Sequence, residues 1–209
     1  MKRLWTWVKE ALSCGRTISF ELSKEAFGFT KKQIMFLSDI HAVCSGGEMA
    51  GSVICLFIHF LNEYVKKHKM VNMISFVDPS IIGAIGCGSA VNQRTLTVVN
   101  PDAEVVYYMD PLKCRIANGE WVDVVDNAIK MYKEDLEKGS EEESIGVPVQ
   151  TGNKDCGLFV IRYMMEIIHD KELDFANKWL RRSNLVYTED DINEIRVEFV
   201  KYFMKHCAS

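Results

Sequence analysis

Two residues in the segment Val147-Pro-Val-Gln-Thr-Gly-Asn-Lys-Asp-Cys-Gly-Leu-Phe-Val-Ile-Arg162 are of types that could do chemistry together. Cys156 stands where a polar, Gly-containing turn gives way to a strongly apolar run, and Gln150 lies six residues upstream. Asn153 and Asp155 are good helix starters, and Leu158 to Ile168 is apolar except for Arg162, Tyr163 and Glu166. The pattern predicts Cys156 in the first turn of a buried helix, where backbone N–H groups and the helix dipole favour a thiolate. Such a cysteine can act as a nucleophile near neutral pH. Gln150, on the preceding extended segment, can aim its amide at the same carbon as an oxyanion donor. Taken alone, Cys156 reads first as a buried structural cysteine at a helix start, since buried cysteine is common.

The surrounding residues bear on that choice. Gln150, Asp155, Cys156 and Gly157 keep the spacing of the ubiquitin-like-protein protease family, the SUMO-protease-like cysteine peptidases, and the chain resembles its plant-type members over most of its length. Val105-Val-Tyr-Tyr-Met-Asp-Pro-Leu112 resembles the family's strand that ends in the catalytic aspartate and nominates Asp110. Tyr187-Thr-Glu-Asp-Asp-Ile-Asn-Glu-Ile-Arg196 resembles its C-terminal helix. The resemblance implies a papain-like α+β fold with the nucleophile helix packed on a small central mixed sheet. It also implies thiolate attack on a Gly-Gly-ended peptide or isopeptide carbonyl, with Cys156 as nucleophile, Gln150 as oxyanion donor and Asp110 orienting a histidine. No cofactor is implied. The partner implied is a ubiquitin-like protein of SUMO type or its conjugates, met in precursor processing or deconjugation.

One part of the family's pattern is missing. Thr95-Leu-Thr-Val-Val-Asn-Pro101 matches the strand that follows the general-base histidine and its tryptophan, so that pair falls on Gln93 and Arg94. Glutamine has no titratable nitrogen to take the thiol proton or return it to a leaving amine. Upstream, Ile74-Ser-Phe-Val-Asp-Pro79 resembles a strand-like segment after the family's long helix. A short stretch, Ile82-Gly-Ala-Ile-Gly-Cys-Gly-Ser-Ala90, then runs almost directly into Thr95, which points to a deletion between Ala90 and Thr95. A skipped exon, a faulty gene model and a degenerate paralogue all fit. The readings that follow are a family peptidase with impaired catalysis, a non-catalytic binder of ubiquitin-like proteins, and a chain that does not fold stably.

The remaining histidines are poor substitutes for the base. His59 sits in an apolar, helix-periodic segment and reads as a packed residue. His68 and His169 lie at helix ends, where a cation suits the dipole. His206 is nearly terminal, and His41 precedes Gly46-Gly47.

Composition is that of one domain, residues 1–209, large enough to bury a core without crosslinks. Hydrophobic residues make up 48%, charged residues 26%, and the net charge is −4. That mild acidity argues against nucleic acid as partner, because no basic field neutralises phosphates. Lys66-Lys67-His68-Lys69 is short and reads as a solvated helix end. The seven cysteines show no Cys-x-x-Cys spacing and suggest neither structural zinc nor a disulfide framework. Neither a signal-peptide pattern nor a membrane-length apolar run is present in the sequence. A reducing nuclear or cytoplasmic setting is expected.

The elements that must position the site follow from periodicity. Trp5–Leu12 reads as a short helix and Ser19–Leu22 as extended. Ser23–Phe27 and Thr30–Asp39 carry helical signals, and Ser52–Lys69 is the clearest N-terminal helix. Thr95–Val99 and Val105–Met109 read as strands joined through Asn100-Pro-Asp102. Val122–Lys138 is helix-periodic, Lys138–Ser144 reads as an acidic loop, and Ile145–Gln150 as a strand. Cys156–His169 and Glu189–His206 read as helices. Trp121, Trp179, Met164 and Met165 read as packing residues.

Overall fold

The computed structural model describes residues 6, 9–10, 17–22, 24–79, 95–100, 102–103, 105–111, 127, 141–144, 146–150, 152, 155–170, 175–180, 182 and 185–207. In chain order the elements are β1 (Ile18–Leu22), α1 (Lys24–Phe27), β2 (Lys31–Met35), α2 (Leu37–Ser45), α3 (Gly51–Lys67), β3 (Leu96–Asn100), β4 (Val105–Met109), β5 (Glu141–Ser144), α4 (Cys156–His169), α5 (Phe175–Leu180) and α6 (Glu189–Cys207). Thr6, Lys9 and Glu10 are helical, in keeping with the helix expected over Trp5–Leu12.

Helices α3 and α4 form the centre. Val53, Ile54, Cys55, Leu56, Phe57, Ile58, Leu61 and Val65 of α3 are all buried, as are most residues of α4 from Cys156 to Ile168. Helices apolar on so much of their circumference must be covered on several sides. The β1–β2 hairpin and α1 cover α3, while α4 lies between α3, α6 and β3. Met164 and Met165 fill space around α4, and Trp179 of α5 meets the ring of Tyr163 edge-on at 5.7 Å. The three polar residues of α4's apolar run have partners. Tyr163 donates its hydroxyl to the Pro148 carbonyl, and Arg162 bonds Glu166 at 2.8 Å and Glu194 of α6 at 2.5 Å.

The second sheet has the order β3-β4-β5. β3 and β4 are antiparallel with Leu96 opposite Met109, and the turn between them is closed by the Ala103 N–H donating to the Asn100 side chain at 3.1 Å. β5 runs parallel to β4, so the sheet is mixed, as expected.

Four expectations are corrected. The stretch Thr30–Asp39 is not helical throughout: Lys31–Met35 is a strand paired with β1, because β1 offers a full edge of backbone groups that need partners. The acidic stretch Lys138–Ser144 is not simply a loop, since Glu141–Ser144 forms β5. Ladder bonds come from the backbone, which every residue but proline supplies alike, so an acidic composition does not exclude a strand. The strand expected at Ile145–Gln150 is displaced in turn, and Gly146–Gln150 lies outside the ladder. Ile74–Asp78 forms no strand either; the buried Asp78 instead meets Lys31 of β2 at 2.6 Å. Asn153, Trp121, residues 90–94 and all of Val122–Lys138 except the helical Asn127 lie outside the described residues.

Candidate active site

Cys156 is the first residue of α4, as its sequence context predicts, and is 2% exposed. Along with Cys44 and Cys55 it forms no disulfide. Asp155 holds the N-cap position with φ −96° and ψ 7°, and its carbonyl accepts from the N–H groups of Leu158 and Phe159 at 2.9 and 3.1 Å. Its side chain does not cap the helix, contrary to the usual habit of aspartate there. The carboxylate instead turns to Arg196 of α6, at 3.3 Å. Gly157 is dictated by packing: a Cβ there would lie 2.8 Å from the Cβ of Met49, on the segment leading into α3. Only a glycine lets the start of α4 approach that closely.

Gln150 is 7% exposed, and its backbone N–H donates to the Pro111 carbonyl at 3.0 Å. That bond sets Gln150 beside Asp110, the residue that follows β4. Both polar atoms of the Gln150 side chain are buried and have no hydrogen-bond partner among the described residues. Leaving an amide in that state costs about 1–3 kcal/mol. Among the described residues nothing takes up its two N–H donors.

The charge of Asp110 reaches Tyr163. Burial, then Asp110 and Glu166, push the Tyr163 hydroxyl far above its ordinary range, so it stays a neutral donor to Pro148. Tyr163 follows Cys156 by seven residues, two turns along the same face of α4. The aspartate and the cysteine are therefore related through one helix face, with Gln150 bonded beside the aspartate. Gln150 is thus bonded to the residue after Asp110, and Cys156 begins the helix whose Tyr163 feels the charge of Asp110.

The register of β3 against β4 extends this relationship. With Leu96 opposite Met109, the chain enters β3 at Thr95 alongside Asp110. Gln93 and Arg94 themselves lie outside the described residues.

The histidines fall elsewhere. His169 ends α4, about 20 Å along the axis from Cys156 at 1.5 Å per residue. It and His68 flank the Tyr64 ring at 4.5 and 3.9 Å, and His68 Nδ1 lies 2.9 Å from the Tyr64 carbonyl. His59 meets the ring of Tyr202 at 6.3 Å, and His206 lies on the same tyrosine at 4.3 Å. His41 is on an exposed face of α2. At the far half of α4 is a charged cleft of about 470 Å³, lined by Arg162, Glu166, Lys178, Trp179, Arg182 and Glu194 among others. Its charges pair with one another, as Arg182 with Glu166 and Lys178 with Asp170, and it does not involve Cys156.

Sequence reasoning passed over Arg196 and the role of Tyr163. Arg196 had a signal: it lies next to Ile195 and among Ile192 and Phe199, which form the buried side of α6. A charged side chain only 12% exposed on such a face calls for a partner.

No family model and no curated protein matches the sequence. Solved structures do match. SUMO protease Ulp1 with its catalytic cysteine oxidised to a sulfenic acid superposes with a TM-score of 0.55 at 12% identity, covering 98% of this chain and 94% of that one. The C-terminal Ulp1 protease domain in complex with Smt3, the yeast ortholog of SUMO, gives the same values. A de-sumoylating protease gives a TM-score of 0.56 at 10% identity, with 93% of each chain covered. At such identities the likeness is one of fold, and it extends over nearly the whole chain. The helices around a small mixed sheet are thus the α+β, papain-like cysteine-protease fold in the form seen in the Ulp1 protease domain.

Proposed function

We propose that this chain is a cysteine-type peptidase domain directed at ubiquitin-like modifiers of SUMO type, working in a reducing nuclear or cytoplasmic setting, with catalysis severely impaired by the lack of a general-base histidine. The observation that carries the reading is the buried amide of Gln150, unpartnered among the described residues and fastened beside Asp110. A donor kept dry at that point is what a developing oxyanion needs.

In this reading the Cys156 thiolate attacks the carbonyl carbon of a Gly-Gly-ended bond, and the carbonyl electrons move onto oxygen, where the Gln150 amide and the Cys156 N–H stabilise them. Collapse expels the amine and leaves a thioester, which water then cleaves to the free carboxylate and the thiol. The amine must gain a proton and the water must lose one. Gln93 can do neither, so Asp110 has no imidazole to orient in the expected place. Parts of such a constellation act as a unit, and loss of the base costs orders of magnitude in rate.

The test is intact-mass labelling with a panel of ubiquitin-like proteins bearing C-terminal electrophiles, with Gln93→His/Arg94→Trp run alongside. An adduct on Cys156 that is slow in the unaltered chain and at least about a hundredfold faster in the double variant is expected, given what a positioned base supplies. Robust cleavage by the unaltered chain that vanishes in Cys156→Ala would overturn the impairment. A second reading, a binder that holds a Gly-Gly tail without cutting it, draws support from Gln93 in the base's place. Calorimetry with the same panel decides it, and binding to none of them removes it.

A further inference from the structure

Arg196 has no place in the proposed reaction, yet it reaches the turn that carries Cys156 from a helix 40 residues further on. Its Nη2 lies 3.3 Å from Asp155 Oδ1, and its Nη1 donates to Asn193 Oδ1 at 2.7 Å, which fixes the guanidinium on its own helix. The side chain is 12% exposed, and the carboxylate it meets 35%. The end of α2 closes a third side. Gly46, at φ +73°, is packed so that a Cβ would lie 3.2 Å from Arg196 Nη2 and 3.8 Å from Asp155 Oδ1. Three separate elements thus meet at one ion pair, immediately before the cysteine.

We infer that Arg196 is a positioning residue for Cys156, holding the Asp155 carboxylate away from the helix N-terminus and cancelling its charge beside the thiol. A carboxylate one residue before a thiol opposes thiolate formation, and at the N-cap it would also compete for the first-turn N–H groups. Bound to Arg196, it does neither. Among the described residues, the charged pair that contacts place at this turn is Asp155 within it and Arg196 from α6. Its field is felt nearby: burial pushes the Cys44 thiol up, and Arg196 is one of the charges opposing that rise. The inference rests on Cys156 being the nucleophile.

The experiment is alkylation of the full chain by iodoacetamide across a pH series, with Cys156 followed by peptide mass so that the other cysteines do not interfere. Arg196→Gln should move the half-point of the Cys156 rate upward by about one pH unit and slow it several-fold at neutral pH. Arg196→Lys, which keeps the charge, should recover most of that shift. In an Asp155→Asn background, where only the direct field of Arg196 remains, Arg196→Gln should shift the half-point clearly less. An Arg196→Gln profile superimposed on the parent overturns the inference, as does a shift that persists undiminished without Asp155, since Arg196 would then act directly or through folding and not through the Asp155 carboxylate. Failure of Cys156 to alkylate at any pH overturns it as well. Iodoacetamide requires neither a modifier nor a base, so a chain deaf to every ubiquitin-like electrophile but showing the Arg196 shift would refute the proposed function alone.

Discussion

The hydroxyl of Tyr163 donates to the carbonyl of Pro148, two residues before Gln150, and so fastens the extended segment carrying the amide to the helix carrying the cysteine. Tyr163 is fully buried, and its neutral form is enforced by burial and by Asp110 and Glu166. Tyr163→Phe keeps the ring and its contacts with Phe159, Trp179 and Tyr187 but leaves the Pro148 carbonyl without its donor. The expected loss is about 1–3 kcal/mol, the cost of an orphaned buried acceptor, read from denaturant unfolding. Labelling of Cys156 by an electrophile-tailed modifier should slow as well, because the segment carrying Gln150 then keeps only its bond to Pro111. A variant as stable as the parent would show that the Pro148 carbonyl finds another donor.

Gly157 and Met49 make a second close contact. Gly157→Ala places a methyl group 2.8 Å from the Met49 Cβ, an overlap that must move either α4 or the segment before α3. Overpacking of this kind costs about 1–3 kcal/mol. Because the clash involves the Cβ itself, Met49→Ala should relieve little of it, whereas Met49→Gly should recover part. A double-mutant cycle on unfolding free energy separates the two.

Thr188 starts α6 with a reciprocal cap. Its hydroxyl accepts from the Asp191 N–H at 3.2 Å, while its own N–H and hydroxyl both reach Asp191 Oδ2 at 2.7 Å. Those bonds hold the Asp191 carboxyl below its ordinary value. A carboxylate so lowered adds stability above its unfolded value of about 3.9, and that contribution disappears as pH falls through the folded value. Thr188→Ala should cost about 1 kcal/mol at neutral pH and less in acid, measured as the shift in unfolding midpoint at each pH. An equal loss at both would show that the carboxylate takes no part.

His59 and His169 both titrate below the ordinary histidine range. Burial is the main cause for each, reinforced by His206 for His59 and by His68 and Arg162 for His169; Glu63 and Glu194 respectively oppose it. The unfolded chain therefore binds more protons than the folded one as pH drops below about 6.5. Stability should be complete above that value and decline as pH falls toward the folded values. Replacing both with glutamine should flatten the slope of unfolding free energy between about pH 5 and 7. An unchanged slope would assign the acid sensitivity to other groups.

The helices were the most legible part of the chain. Cys156–His169 starts and ends where its apolar run does, because periodicity reports which side chains are covered, and α4 is covered almost all round. The β3–β4 hairpin was equally clear from its β-branched runs and the Asn-Pro-Asp turn between them. What failed was strand pairing by residues with no strand composition. Lys31–Met35 and Glu141–Ser144 are strands because a neighbouring edge needed backbone partners, a demand that no local pattern records. Cys156 at the first turn of α4 was legible from its sequence context. Arg196 was legible as a charge on the apolar side of α6, but its partner was not, since Asp155 lies 41 residues earlier and no local pattern pairs residues that distant.

The order β3-β4-β5 has a bearing on tolerance to change in chain length. Asp110 follows the middle strand, which is held by a ladder on either flank, and Gln150 is bonded to the residue just after Asp110. β3 has a described neighbour on one side only, and residues 80–94 join the sheet through it. A shortening of that connection therefore enters at the rim of the sheet and leaves the middle strand clamped. On the proposed reading, loss of a group before β3 leaves Asp110 and Gln150 tied to the clamped middle strand. Drift in this region would blunt the chemistry well before it unmade the fold.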